Sequence, residues 1–231
     1  MLAIQNLSFA YGAVGVLTDV TMTMDVSRVT CIMGRNGVGK TTLMKNIMGL
    51  LRPSAGSLMM GKTDLLRLPP NRRARAGLAM VPQTRQIFPK LTVHENLRVG
   101  LEARIDKSRT IPDEVYALFP MLKSMAKRKG GDLSGGQQQQ LAIARALVGQ
   151  PKVLLLDEPT EGIQPNIIQE IGQVLHDLVD QRGMTVVLVE QYLDFVREFG
   201  HDFYVLDRGQ VVAEGATSEL TSEIVNLHLT V

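Results

Sequence analysis

The sequence predicts an α/β fold: a mainly parallel sheet covered by helices, with an antiparallel β-subdomain near the N-terminus and an inserted α-helical subdomain. Three observations predict it. The runs 153–156 and Thr185–Val189 are short, continuous and apolar, as strands buried on both faces are. Helical patterns near 166–181 and 192–199 alternate with them. The segment from about 84 to 150 holds several helical patterns and no convincing strand. The expected partition is one domain over 1–231, with an α/β core and β-subdomain at 1–83 and 151–231 and the helical subdomain at 84–150.

Taken in order, Leu2, Ile4 and Leu7 are spaced like a half-buried strand that ends at Tyr11-Gly12. A second strand pair is expected around 14–24. The apolar run Val29–Met33 is a strand, followed by a glycine-rich loop and a helix over Lys40–Met48 with Gly49 as its stop. Leu78–Val81 is a strand closed by Pro82. Within the helical segment, Pro112-Asp113-Glu114 looks like a helix start, and Pro120 interrupts the pattern before 121–129. A hairpin at Asp207-Arg208-Gly209-Gln210 and a helix near 218–227 complete the reading.

Composition excludes several classes. With 45% hydrophobic and 21% charged residues among 231, the chain can bury a core of ordinary size. Its 25 basic and 23 acidic residues leave a net charge of +2, against a general nucleic-acid binder. The single cysteine, Cys31, rules out an internal disulfide and reads as a small buried hydrophobe, which suits a reducing cytoplasm. No run approaches the roughly 18–20 apolar residues of a membrane span, and the first residues lack a basic region and an apolar leader. The expectation is a cytoplasmic chain that works at a membrane only through partners. The basic clusters Arg72, Arg73, Arg75 and 127–129 read as solvated faces.

Three motifs carry chemistry. Gly34-Arg35-Asn36-Gly37-Val38-Gly39-Lys40-Thr41-Thr42 matches G-x-x-x-x-G-K-[ST] between an apolar strand and a helix. Its glycines let successive N–H groups turn inward as an anion cradle, and the helix N-terminus adds its dipole. Lys40 reaches the β- and γ-phosphates, and Thr41 offers a hydroxyl to Mg²⁺. This makes the α/β part a P-loop NTPase core. Val153-Leu154-Leu155-Leu156-Asp157-Glu158 is a buried strand whose carboxyl end carries two acids. Asp157 is placed to hold Mg²⁺, and Glu158 to orient or deprotonate the attacking water. Leu133-Ser134-Gly135-Gly136-Gln137 opens a helix running to Leu147, a second phosphate-binding N-terminus.

In this order and at these separations, the three motifs resemble those of the ATP-binding subunits of ABC transporters, over essentially the whole chain. The resemblance implies a head-to-tail pair of such subunits, identical or not. Ser134, Gly135, Gly136 and Gln137 of one would then close on the ATP held by the other. It implies that Tyr11 stacks on adenine. It makes Gln83 a sensor of Mg²⁺ and the water, and turns 84–89 toward integral membrane permease subunits, with Ile87 and Phe88 exposed for docking. A solute-binding receptor would be an indirect partner, and the chain would sit peripherally on the inner face of the cell membrane.

Two positions depart from the family pattern. Glu161-Gly162-Ile163-Gln164-Pro165 stands where Ser-Ala-Leu-Asp before a proline is common, and the switch residue, usually histidine, is Gln191. These, with Gln137-Gln138-Gln139-Gln140-Leu141-Ala142-Ile143, resemble the ATP-binding subunits of urea importers, relatives of the branched-chain amino acid importers. A non-transport ABC ATPase serving as an assembly scaffold is the alternative of another class. Ser27-Arg28, where Gly-Glu is common, is read as a turn variation.

Overall fold

The computed structural model describes residues 1–229. Its centre is a six-stranded sheet in the order β10-β9-β3-β8-β7-β6. These strands are β3 (Val29–Met33), β6 (Leu78–Val81), β7 (Val153–Asp157), β8 (Thr185–Val189), β9 (Asp202–Asp207) and β10 (Gln210–Ala216). All neighbours pair in parallel except β9 and β10, which form an antiparallel hairpin. Arg208 and Gly209, at φ 45° and 78°, supply the two left-handed residues that such a tight turn requires.

A second, antiparallel sheet has the order β2-β1-β4-β5. It consists of β1 (Leu2–Tyr11), β2 (Val14–Met24), β4 (Ala55–Met60) and β5 (Thr63–Asp64). The segment expected to hold a strand pair at 14–24 is therefore one strand of eleven residues, paired along β1. Strands β4 and β5 were not expected. The run Ala-Gly-Ser-Leu-Met-Met is weak in β-branched residues, and its place is fixed by pairing with β1, not by local preference.

Helix α1 (Lys40–Met48) follows β3 and ends on Gly49 in the left-handed region, as its sequence predicts. Helix α2 is Pro70–Arg75. The stretch between β6 and β7 holds α3 (Val93–Gly100), α4 (Asp113–Leu118), α5 (Pro120–Ser124) and α6 (Gly135–Val148). Pro120 begins α5 instead of merely breaking a pattern, and α5 is only five residues long. Helices α7 (Pro165–Arg182), α8 (Leu193–Phe199) and α9 (Ser222–His228) complete the chain. The helix expected near 218–227 is split into a short 3₁₀ turn at Thr217–Glu219 and α9.

Successive strand residues point to opposite faces of the central sheet, and two cores result. Val29, Cys31, Leu154, Leu156, Val186 and Leu188 pack with the helices of one side. Ile32, Leu155, Val187 and Val189 pack with α1 and the antiparallel sheet on the other. Cys31 is fully buried, and burial pushes its thiol pKa up, so it stays an apolar filler.

Arg73 corrects the solvated-face reading. It is only 3% exposed, and its Nη1 donates to the carbonyls of Asn46 and Ile47 at 2.7 Å each, while Nε donates to Leu68 O at 2.9 Å. It thus caps the carboxyl end of the phosphate-loop helix with a cation, where the helix dipole favours one. Arg73→Met should destabilise the fold by roughly 2–4 kcal/mol, since charge-assisted bonds contribute about 1.5–3 kcal/mol each and the desolvation of the cation offsets part of this. Thermal unfolding checks it, and an unchanged midpoint would refute the capping role.

Candidate functional site

The loop between β3 and α1 needs its glycines for different reasons. Gly34 has φ 144°, and a Cβ there would lie 2.2 Å from Leu206 O. Gly39, the residue before α1, has φ 112° and would bring a Cβ within 2.9 Å of Leu17 Cδ2. The antiparallel sheet and β9 therefore press on the loop from outside and set its curvature. Gly37, at φ 83°, faces open space and needs glycine only for its torsion.

Lys40 opens α1 and is buried. Its ammonium donates to Gly34 O at 2.8 Å and Arg35 O at 2.9 Å. Burial lowers its pKa, and the nearby Glu158 and Asp157 carboxylates oppose that shift. A cleft lined by Asn36, Gly37, Gly39, Lys40, Thr41, Thr42, Gln83 and Glu158 opens in front of the loop.

Asp157 ends β7, two strands from β3. Burial raises its pKa, opposed by the neighbouring Thr41 hydroxyl and by Lys40 and Lys45. Both of its carboxylate oxygens are buried with no hydrogen-bond partner. A buried carboxylate with two orphaned oxygens is costly unless a cation completes it. The donor set therefore fits a hard divalent ion such as Mg²⁺, which takes one or two protein oxygens and leaves the rest of its shell to phosphate and water.

Glu158 follows in the left-handed region at φ 49°, its N–H donating to Val189 O at 2.9 Å. This torsion turns its side chain out of the strand direction. Two amides then meet the carboxylate. Gln83 Nε2 donates to Oε2 at 2.9 Å, and Gln191 Nε2 donates to Oε1 at 2.6 Å. Oε1 is also 3.7 Å from Lys40 Nζ. Both amides have second partners: Gln83 donates to Glu161 at 2.9 Å, and Gln191 to Asn36 Oδ1 at 2.8 Å. Residues of the loops that follow β3, β6, β7 and β8 thus converge at the carboxyl ends of adjacent strands.

One residue of this network was not singled out from sequence. Glu190 is buried, accepts from Thr160 N at 3.2 Å and its hydroxyl at 2.6 Å, and also accepts from the N–H groups of Gln191 and Tyr192. It ties the loop after β7 to the loop after β8. The only hint in sequence was an acid closing an apolar strand.

The remaining candidates lie apart from the cleft. Ser134 caps α6: its Oγ accepts from Gln137 N at 3.3 Å, and Gln137 Oε1 accepts from Ser134 N at 3.0 Å. Gly135 and Gly136 form the first turn, and neither they nor Ser134 and Gln137 line the cleft around Lys40. Tyr11 is 49% exposed, with its ring at right angles to Phe9. In the segment after Gln83, Phe88 is 44% exposed beneath the Arg145 guanidinium. Ile87, expected to be exposed with it, is half-buried against the core. Arg85 and Gln86 are in the left-handed region, and the chain turns back on itself there.

A glycine cradle at a helix N-terminus, a buried lysine and a strand-end acid with orphaned oxygens define a nucleoside-triphosphatase of the phosphate-loop class. Comparison narrows this. The ABC transporter family model matches residues 17–161. The high-affinity branched-chain amino acid transport ATP-binding protein BraG of Pseudomonas aeruginosa is 38% identical over 213 residues, covering 92% of this chain and 91% of its own length. The probable branched-chain amino acid transport ATP-binding protein LivF of Archaeoglobus fulgidus is 37% identical, covering 95% and 94%. The crystal structure of a nucleotide-free ATP-binding cassette from an ABC transporter superposes with a TM-score of 0.84 at 29% identity, covering 98% of this chain and 94% of that one. A dimeric cassette in a post-hydrolysis state with ADP and Pi gives 0.82 at 28%, covering 94% and 99%. The chain belongs to the ABC transporter family and is an ATP-binding cassette ATPase.

The Gln191 contacts yield a prediction. Gln191→Ala removes a neutral bond to Asn36 and a charge-assisted one to the Glu158 carboxylate, which Gln83 still holds and Lys40 still approaches. The neutral bond contributes about 1 kcal/mol and the charge-assisted one about 1.5–3, part of which Gln83 and Lys40 retain, so hydrolysis should slow by roughly 10- to 100-fold. Steady-state phosphate release checks this, and complete loss of turnover would show that Gln191 does more than hold its neighbours.

Proposed function

We propose that this chain is the ATP-hydrolysing subunit of an importer, working as one half of a head-to-tail pair. The observation that supports the catalytic part is the meeting of Gln83, Gln191 and Lys40 on the Glu158 carboxylate beside the glycine loop. In this reading the N–H groups of residues 34–42 bind the phosphates and Lys40 offsets their charge. Thr41 and Asp157, with Gln83 close by, would hold Mg²⁺, which supplies further charge neutralisation to the phosphate oxygens. Glu158 orients the attacking water and accepts its proton. Gln83 and Gln191 hold that carboxylate in place, and Asn36 anchors Gln191. Tyr11 offers an exposed ring to adenine. The capped start of α6 at Ser134, with Gly135, Gly136 and Gln137, meets the nucleotide of the second subunit.

The permease subunits would dock near Phe88, and the chain would lie against the inner face of the membrane. No described helix is long and apolar enough to cross a membrane. Two relatives named for branched-chain amino acid transport support a small amino acid as the solute. Urea is the second reading, favoured by the 161–165 sequence and Gln191.

Binding assays on the cognate solute receptor decide between these, and a receptor that takes only sugars or metals would overturn both. Calorimetry with Lys40→Ala tests the nucleotide site. Affinity for ATP should fall well over tenfold, and unchanged affinity would remove the phosphate-loop role.

A further inference from the structure

Away from the ATP site, a groove of about 970 Å³ runs between α2, the end of α3 and the 101–109 segment. Its lining carries six cations, Arg72, Arg75, Arg98, Arg104, Lys107 and Arg109, against one carboxylate, Glu102. With Asp106 of the same segment counted in, that is four net positive charges at one concavity, whereas the whole chain carries +2, so the rest of the chain is net negative. Arg104 is paired with Asp106. Among the described residues the other five have no ion-pair partner, and all five are exposed. Arg73, between two of them, is spent on capping α1, so the groove's charge is not needed for that purpose.

Apolar side chains share the lining, half-buried Leu68 and buried Leu101, with Ile105 standing 76% exposed. Like charges gathered around one concavity repel one another, and a multivalent anion relieves that repulsion. Guanidinium forks suit phosphate oxygens in particular, and the volume falls within the range of small-ligand sites.

We propose that this groove binds a phosphate-bearing anion, either an anionic phospholipid headgroup or a soluble phosphate compound. The site is separate from the phosphate loop and shares no lining residue with it.

Two probes test it on the Lys40→Ala chain, in which the ATP site is disabled. One is co-sedimentation with vesicles of phosphatidylcholine containing or lacking phosphatidylglycerol. The other is calorimetric titration with inorganic pyrophosphate. Binding in either arm is expected at physiological salt, and the arm that responds names the source. The triple variant Arg72→Gln, Arg75→Gln and Arg109→Gln should weaken that binding by roughly a hundredfold, from the contribution of each basic residue near an anionic surface. Made with Lys40 intact, the same triple variant should keep wild-type ATP hydrolysis and an unchanged thermal midpoint. Binding of neither probe, or equal binding by the triple variant, overturns the proposal. Loss of permease assembly in that variant without binding of either probe would assign the groove to an acidic protein partner instead.

Discussion

Glu158→Gln is expected to leave ATP affinity within a few-fold of the wild type and to lower turnover by roughly 100- to 10,000-fold, the span a positioned general base contributes. The phosphate-binding loop, Lys40 and Asp157 are untouched, so binding persists. The new side chain keeps one acceptor oxygen but presents an amide where a carboxylate oxygen stood. It therefore meets Gln83 or Gln191 donor to donor, and it cannot take a proton from water. The backbone at φ 49° is as accessible to glutamine as to glutamate, so the variant isolates the chemistry from the fold. Two measurements check it: single-turnover hydrolysis, and gel filtration with ATP and Mg²⁺, where pairs of subunits should accumulate. Hydrolysis at the wild-type rate would remove Glu158 from the role of base.

Gly34→Ala should be the most damaging single change in the loop. The added Cβ would sit 2.2 Å from the backbone oxygen of Leu206 and 3.0 Å from Val38 Cγ2. Relief requires moving β9 or opening the loop, because a backbone oxygen cannot rotate aside. Overpacking costs about 1–3 kcal/mol, and the positive φ adds roughly 1–2 kcal/mol more. A fall in melting temperature of roughly 5–15 °C follows for a domain of this size, with loss of ATP binding. Gly37→Ala is the control, since its Cβ meets nothing and only the torsional term remains. Equal melting temperatures for the two variants would show that contact with β9 does not shape the loop.

The legible parts of the molecule were those written locally. The phosphate loop, helix α1 and its Gly49 stop lie within twenty residues and follow short-range rules. Strands β7 and β8 are apolar enough to be read alone. What depends on distant partners was not legible. Strand β4 exists because β1 offers it an edge. Arg73 looked like one of three equivalent surface arginines until α2 was seen to end against α1. Gln83, Glu158 and Gln191 could each be picked out by resemblance to family motifs. Their mutual hydrogen bonds join positions 75 and 33 residues apart and come from the order of strands in the sheet. Glu190 carried no motif at all, and its burial follows from β7 and β8 being neighbours.

That last carboxylate has a mechanical consequence. It fastens Thr160 on one loop to the N–H groups of Gln191 and Tyr192 on the next, through four hydrogen bonds to a single buried carboxylate. Two loops tied to one buried carboxylate brace each other like the ends of a strut. A continuous chain of hydrogen bonds thus runs from the stretch leading into α7 through Glu190 to Gln191, and from there to Glu158. In the proposed reaction, the placement of the base would therefore depend on the segment around Thr160, ahead of α7, as well as on the strand that carries Glu158.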